Sequence, residues 1–120
     1  MPAKDDEIKI MAEPQMDPNV CSFHVDRPIY GEIVSCTSKD MAKGSPLLEA
    51  IFAIDGITQV MVTGFTVTVA KSGDGDWSSL GKQIGTAIRE TLQSGQPLIA
   101  SDIKDRVLTI YWNKLNKFKG

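Results

Sequence analysis

Two cysteines, Cys21 and Cys36, and one histidine, His24, are the only thiols and the only imidazole in a chain of 120 residues. A thiol pair can ligate a soft metal or be oxidised, and a Cys–His pair can act as nucleophile and base. The strands that carry them decide which chemistry is within reach. Residues 20–25 and 32–37 read as strands, with Pro28 and Gly31 marking the reversal between them. Paired as a hairpin through Asp26 and Gly31, they set Cys21 opposite Cys36, Phe23 opposite Val34 and Val25 opposite Glu32. Opposed Cβ atoms lie about 4.5–5.5 Å apart, close enough for two thiols to share a ligand. Side chains alternate along a strand, so Ser22, His24 and Asp26 point to the other face. His24 therefore neither completes a metal shell with the thiols nor serves Cys21 as a base, and it reads as a solvated strand residue. Two thiolates fall short of the four ligands of a usual zinc or iron–sulfur site, and a second copy would have to supply the rest. The favoured reading of Cys21 and Cys36 is burial as small apolar residues, with metal ligation as the alternative.

Two further segments invite a chemical reading. Gly73-Asp74-Gly75-Asp76 has the look of a phosphate or calcium loop. Five residues separate Gly75 from Gly81-Lys82, and Gln83 follows, so the spacing departs from a P-loop. The remaining acidic positions of a calcium loop are missing as well. A strand-to-helix turn ending in an Asp76 N-cap is the simpler reading. In the tail, Tyr111, Trp112 and Phe118 interleave with Lys114, Lys117 and Lys119. Such a stretch can stack on single-stranded nucleic acid or rest on an anionic partner. The favoured reading is a final element that packs its aromatics on the core and exposes its lysines. No carboxylate pair, Ser–His arrangement or cofactor fingerprint emerges, so no enzyme is proposed.

The positioning elements follow from periodicity. Residues 7–11 alternate as a short strand, and the prolines within 13–19 predict irregular structure there. Residues 38–44 read as loop. Ser45 caps and Pro46 opens a helix carrying Leu47, Leu48, Ile51, Phe52 and Ile54, closed by Asp55-Gly56. Residues 57–63 and 65–70 form a hairpin about Thr63-Gly64, with Phe65, Val67 and Val69 on one face. Asp76 caps a second helix whose Leu80, Ile84, Ile88 and Leu92 share a stripe, and Gly95 and Pro97 end it. From Leu98 onward, a strand over 107–112 and a helix from Ser101-Asp102 through Leu115 both fit. The expected fold is α+β: a two-layer arrangement in which a mainly antiparallel sheet of about five strands carries two helices on one face.

Composition sets the bounds. The length suits one domain, and 13 basic against 15 acidic residues argue against nucleic-acid binding by the whole surface. No apolar run spans a membrane, and the acidic start resembles neither a secretory signal nor a transit peptide. Two cysteines without a signal fit a reducing, cytoplasmic setting.

Ser45-Pro46-Leu47, Ile51-Phe52-Ala53-Ile54-Asp55-Gly56-Ile57 and Val60, then Thr66-Val67-Thr68-Val69-Ala70-Lys71, resemble the N-terminal domain of the Nfu/NifU-like iron–sulfur scaffold proteins. Asp76-Trp77, Gln83-Ile84, Ala87-Ile88-Arg89-Glu90 and Ser94-Gly95 continue the likeness. Upstream, Glu13-Pro14 and Asp17-Pro18-Asn19 are similar to the family's Pro-Asn-Pro-Asn turn. The resemblance implies a domain over 7–97 and leaves 98–120 as an extension of open structure. Ser45, Pro46, Asp55, Gly56, Asp76 and Trp77 are its fold-specifying positions. Full-length members carry a C-terminal domain whose Cys-x-x-Cys holds the cluster, and this sequence has no such motif. Iron or an iron–sulfur cluster is thus implied by resemblance alone. The expectation is a non-enzymatic module that meets cluster-assembly or client proteins. Asp17, Pro18, Asn19, Tyr111, Trp112, Lys114 and Lys117 are its candidate contact residues.

Overall fold

The structure, a computed structural model, describes residues 8–73, 75–95 and 97–119, with 111 and 113–119 described as helix backbone alone. Glu7 and Asp74 lie outside the described residues. The elements run β1 (Ile10–Pro14), β2 (Val20–Val25), β3 (Tyr30–Cys36), α1 (Lys39–Ala42), α2 (Pro46–Phe52), β4 (Ile57–Gly64), β5 (Thr66–Lys71), α3 (Trp77–Ser94) and α4 (Ile103–Lys119).

The five strands form one antiparallel sheet in the order β1-β2-β5-β4-β3. This overturns the expected β2–β3 hairpin. After Val25 the chain crosses the tip of the β4–β5 hairpin, where Phe65 O accepts from Val25 N at 2.9 Å and Gly64 O accepts from Ile29 N at 2.8 Å. It then descends as β3 on the far edge. Gly64 takes φ 58° at the first central position of the two-residue turn, a conformation glycine adopts without steric cost. Phe65 belongs to that turn and is exposed rather than inward-facing.

Period-two alternation then does what it must. Cys21, Phe23 and Val25 of β2, Val67 and Val69 of β5, Val60 and Val62 of β4 and Val34 and Cys36 of β3 all face inward and are buried. Leu47, Leu48 and Ile51 of α2 and Leu80, Ile84 and Ile88 of α3 cover them. Burying each such aliphatic side chain is worth roughly 1.5–3 kcal/mol. The opposite face carries Ser22, His24, Thr66 and Thr68, which bond to one another across the strands.

The helices follow their caps, with corrections. Asp76 Oδ1 accepts from Ser79 N at 2.9 Å, and Gly95 closes α3 at φ 74°. Residues 38–44 contain the short helix α1, capped by Ser38, instead of a loop. Helix α2 ends at Phe52, so Asp55-Gly56 sits in the turn to β4. Pro14 lies inside β1, where the missing amide is harmless on an edge strand. Of the two readings of the tail, the helix is observed as α4, which packs against α1 and β3.

Ser45 does not cap α2 with its side chain. Its buried Oγ accepts instead from Ala100 N at 2.8 Å, while Leu98 O accepts from Leu47 N at 3.1 Å. The segment after α3 thus completes the start of α2, and Ile103 follows into the core at full burial. Ser45→Ala leaves the part-buried Ala100 amide without its acceptor. We expect it to cost about 1–3 kcal/mol of stability, measured by urea unfolding, whereas a true N-cap loss would spare the 98–103 segment from faster hydrogen exchange.

Candidate functional site

The strand order decides the fate of the cysteines. Cys21 pairs with Val69, Val69 with Val60 and Val60 with Cys36, so the two thiols occupy one inward row three strands apart. Three interstrand steps of about 4.8 Å separate them by roughly 14 Å. They share a face, as alternation requires, but no ligand within one chain. Both are free and buried. Burial raises the Cys21 thiol above its ordinary pKa and pushes Cys36 up to about 11. His24 stands on the other face, with Nε2 2.7 Å from Glu13 Oε1 and Nδ1 3.0 Å from Thr66 Oγ1. Among the described residues, no group of three His, Cys, Asp or Glu side chains gathers to hold a metal. The donor set does not fit an iron–sulfur cluster held by the chain alone.

Most residues of the family-like turn do come together. Asp17 Oδ1 accepts from Asn19 N at 2.9 Å, and Asp17 O accepts from Val20 N at 3.0 Å, so Asp17-Pro18-Asn19 is a closed turn between β1 and β2. Trp77, the first residue of α3, donates its indole N–H to Pro18 O at 2.9 Å. Lys71, the last residue of β5, donates to Asn19 Oδ1 at 3.2 Å and places its ammonium 5.8 Å from the Trp77 ring centroid. The ring in turn meets Phe23 edge-on, at 6.3 Å between centroids. Asp76 stands beside it, and the Ser78 hydroxyl, then the Ser79 amide, hold its carboxyl below the usual carboxylate range.

This turn is closed by hydrogen bonds within itself and to Trp77 and Lys71. Met16, fully exposed, precedes Asp17 at the loop's apex. Neither Met16 nor Lys71 was singled out from sequence; a methionine inside a polar, proline-rich turn was the available signal. Beside the turn, a groove of about 310 Å³ runs between β1 and α3, lined by Ile10, Ala12, Phe23, Trp77, Gly81 and Gly85.

The tail residues are elsewhere. Helix α4 lies by β3, on the sheet edge opposite β1. Trp112 is 57% exposed, which corrects the expectation that the tail's aromatics all pack inward. The side chains of Tyr111, Lys114 and Lys117 lie outside the described residues.

The structure is a five-stranded antiparallel sheet covered by helices on one face, with the Asp17-Pro18-Asn19 turn bonded to Trp77 and Lys71. Residues 10–95 match the family described as "Scaffold protein Nfu/NifU N terminal", and the chain belongs to that family. It is 34% identical over 91 residues to NifU-like protein 4, mitochondrial, and 36% identical over 91 residues to NifU-like protein 5, mitochondrial, both of Arabidopsis thaliana. Those alignments cover 74% of this chain and 32% and 33% of the plant proteins, so the chain spans about a third of their length. The fold is shared with the solution structure of a NifU-like protein from Saccharomyces cerevisiae, with a TM-score of 0.68 at 19% identity over 78% of this chain and 86% of that one. A crystal structure of a Staphylococcus aureus protein gives 0.56 at 15% identity, over 67% and 98%. No helix among the described residues is long and apolar enough to cross a membrane.

Three measurements probe this geometry. Neither cysteine of the native protein should react with a disulfide reagent at pH 8, and both should react in denaturant. The raised Cys36 pKa also carries a sign: between 9.0 and about 11 the unfolded thiol loses its proton first, so stability falls as pH rises through that window. Cys36→Ala should flatten that part of the unfolding profile. Separately, Trp77→Phe removes the bond to Pro18 O, and amide exchange at Asn19 and Val20 should quicken while the α3 core stays protected.

Proposed function

We propose that this chain is a non-enzymatic accessory module of iron–sulfur cluster assembly or delivery, acting by contact with assembly or client proteins. The observation that carries the reading is the family match over 10–95 together with cysteines that are buried and about 14 Å apart. A domain of this family that lacks a gathered ligand set contributes by recognition rather than by holding the cluster. The turn at Asp17-Pro18-Asn19 is the primary contact candidate, because its backbone is fixed in advance and Met16 supplies exposed apolar surface beside it. The aromatic–basic tail, with Trp112, Tyr111, Lys114 and Lys117, is the second. The sequence favours a cytoplasmic setting, against the mitochondrial one in the plant relatives' names, and the contact chemistry is the same in either.

The test has two arms. Anaerobic incubation with iron and sulfide should leave the repurified chain colourless and without stoichiometric iron. The immobilised chain should then recover purified cluster-assembly or client proteins, and Met16→Asp should weaken that recovery without changing the melting curve. A cysteine-dependent visible band, or no recovery by the wild-type chain, would overturn the reading.

A further inference from the structure

Strand β1 ends the sheet, and its outward side is unpaired. Lys9 O accepts from Asp26 N at 3.0 Å and Val20 O accepts from Gln15 N at 3.2 Å, which fixes the parity of the strand. The backbone of Lys9, Met11, Glu13 and Gln15 faces β2, and that of Ile10, Ala12 and Pro14 faces away from it. Ile10 and Ala12 therefore each present an N–H and a C=O with no strand to receive them. Their side chains share the inner-face parity of Val25 and Phe23, yet Ala12 is exposed, because the groove of about 310 Å³ separates β1 from α3. At one end Arg89 crosses it and donates from Nε to Ile8 O at 3.2 Å; Trp77 stands at the other. A Cβ on Gly81 would meet Phe23 Cε2 at 3.8 Å and one on Gly85 would meet Arg89 Nη1 at 3.5 Å, both ordinary contacts. Packing within the chain thus does not require either glycine, and together they leave room beside an open strand edge. We infer that the β1 edge and this groove take up an extended acidic segment of a partner protein as a sixth strand.

Charge and backbone select that occupant. Lys82 and Arg89, seven residues apart on one face of α3, both line the groove, and among the described residues no carboxylate lines it. Neither cation forms an ion pair among the described residues, and Arg89 engages only its Nε. An occupant bearing carboxylates is therefore complementary. The open N–H and C=O groups call for a strand, since a helix satisfies its backbone internally. Alternate residues of such a strand face the groove. A central apolar side chain then meets Ala12 and Phe23, and carboxylates two residues to either side of it lie about 13 Å apart. Helix α3 sets its two cations about 10 Å apart on long, flexible stems, within reach of both. A second copy of β1 is a poor occupant, because Ile10, Ala12 and Pro14 would enter the groove while its Glu13 faced the opposite side. The inference rests on the accessory reading only in treating the chain as one that works by binding other proteins.

The probes are two labelled synthetic peptides of about nine residues, with leucine at the centre, threonine elsewhere, and either glutamate or lysine two residues to each side of the leucine. Fluorescence anisotropy should show the glutamate peptide binding, with affinity falling as salt rises, and the lysine peptide not binding. Amide exchange at Ile10 and Ala12 should slow when the glutamate peptide is bound. Ala12→Pro removes an N–H that faces away from β2, so it should weaken binding about tenfold or more while the melting curve stays unchanged. Lys82→Glu, at an exposed helix position, should weaken it similarly and turn the preference toward the lysine peptide. Should Ala12→Pro not fold, Lys82→Glu and the exchange readout decide alone. Equal binding of both peptides, binding of neither, or binding that a folded Ala12→Pro chain retains overturns the inference. So does a sedimenting dimer that Ala12→Pro dissolves, or binding seen only once residues 1–7 are removed, which gives the groove to the chain's own acidic leader. If the peptides fail while the wild-type chain still recovers assembly proteins, the contact lies elsewhere and the accessory reading stands. If that recovery fails too, both fall.

Discussion

The sheet buries one of its two faces, and every residue with chemical potential is sorted by that fact. Outside the irregularities at 30–33 and 57–59, side chains alternate across the five strands, so a residue's parity assigns it either to the packed interior or to solvent. Both thiols fall on the interior side, where the surrounding valines and isoleucines deny them water and keep them protonated. The imidazole falls on the other side, among hydroxyls and a carboxylate. No rotamer change brings thiol and imidazole together, because the sheet itself stands between them. Reactive groups are thereby kept apart, and the surface left to the molecule is one of shape.

That shape is concentrated where chain ends of several elements meet. The turn between β1 and β2, the last residue of β5 and the first residue of α3 converge on one indole ring. Trp77 thus acts as a fastener between the sheet layer and the helix layer, packing on Phe23 below and holding Pro18 above. Each contact is modest alone, about 0.5–1.5 kcal/mol for a hydrogen bond or an aromatic pair. Their common effect is to hold an exposed turn in one conformation.

Local chemistry made much of this legible in the residues. The Asp76 cap, the Leu80–Ile84–Ile88 stripe and the Gly95 stop are short-range signals and are observed, and the hairpin expected about Thr63-Gly64 is observed with its turn one residue later, at Gly64-Phe65. The alternation of β2 and β3 correctly put both cysteines on the inner face. Their pairing was misread because neighbouring strands in sequence are the usual partners, whereas here the 26–29 segment crosses a hairpin tip formed some 35 residues later. Pro14 in β1 was hidden for a related reason, since only the strand order reveals an edge. Ser45 has the residue type of an N-cap, yet its hydroxyl goes to Ala100, a partner 55 residues away that no local pattern announces. The Asp17-Pro18-Asn19 turn was visible from the sequence; its fastening to Trp77 and Lys71 was not.

The bond between Ser45 and Ala100 also orders events in time. A chain made from its N-terminus outward releases α2 long before residues 98–103 leave the ribosome. Until they do, the start of that helix lacks the serine's partner and the carbonyl of Leu98, and the pocket that takes Ile103 stays open to water. The nascent domain therefore has its sheet and two main helices available yet is incompletely sealed. The final seal is made by a segment beyond the stretch shared with the family, which makes that segment the closing step of folding rather than an appendage to it.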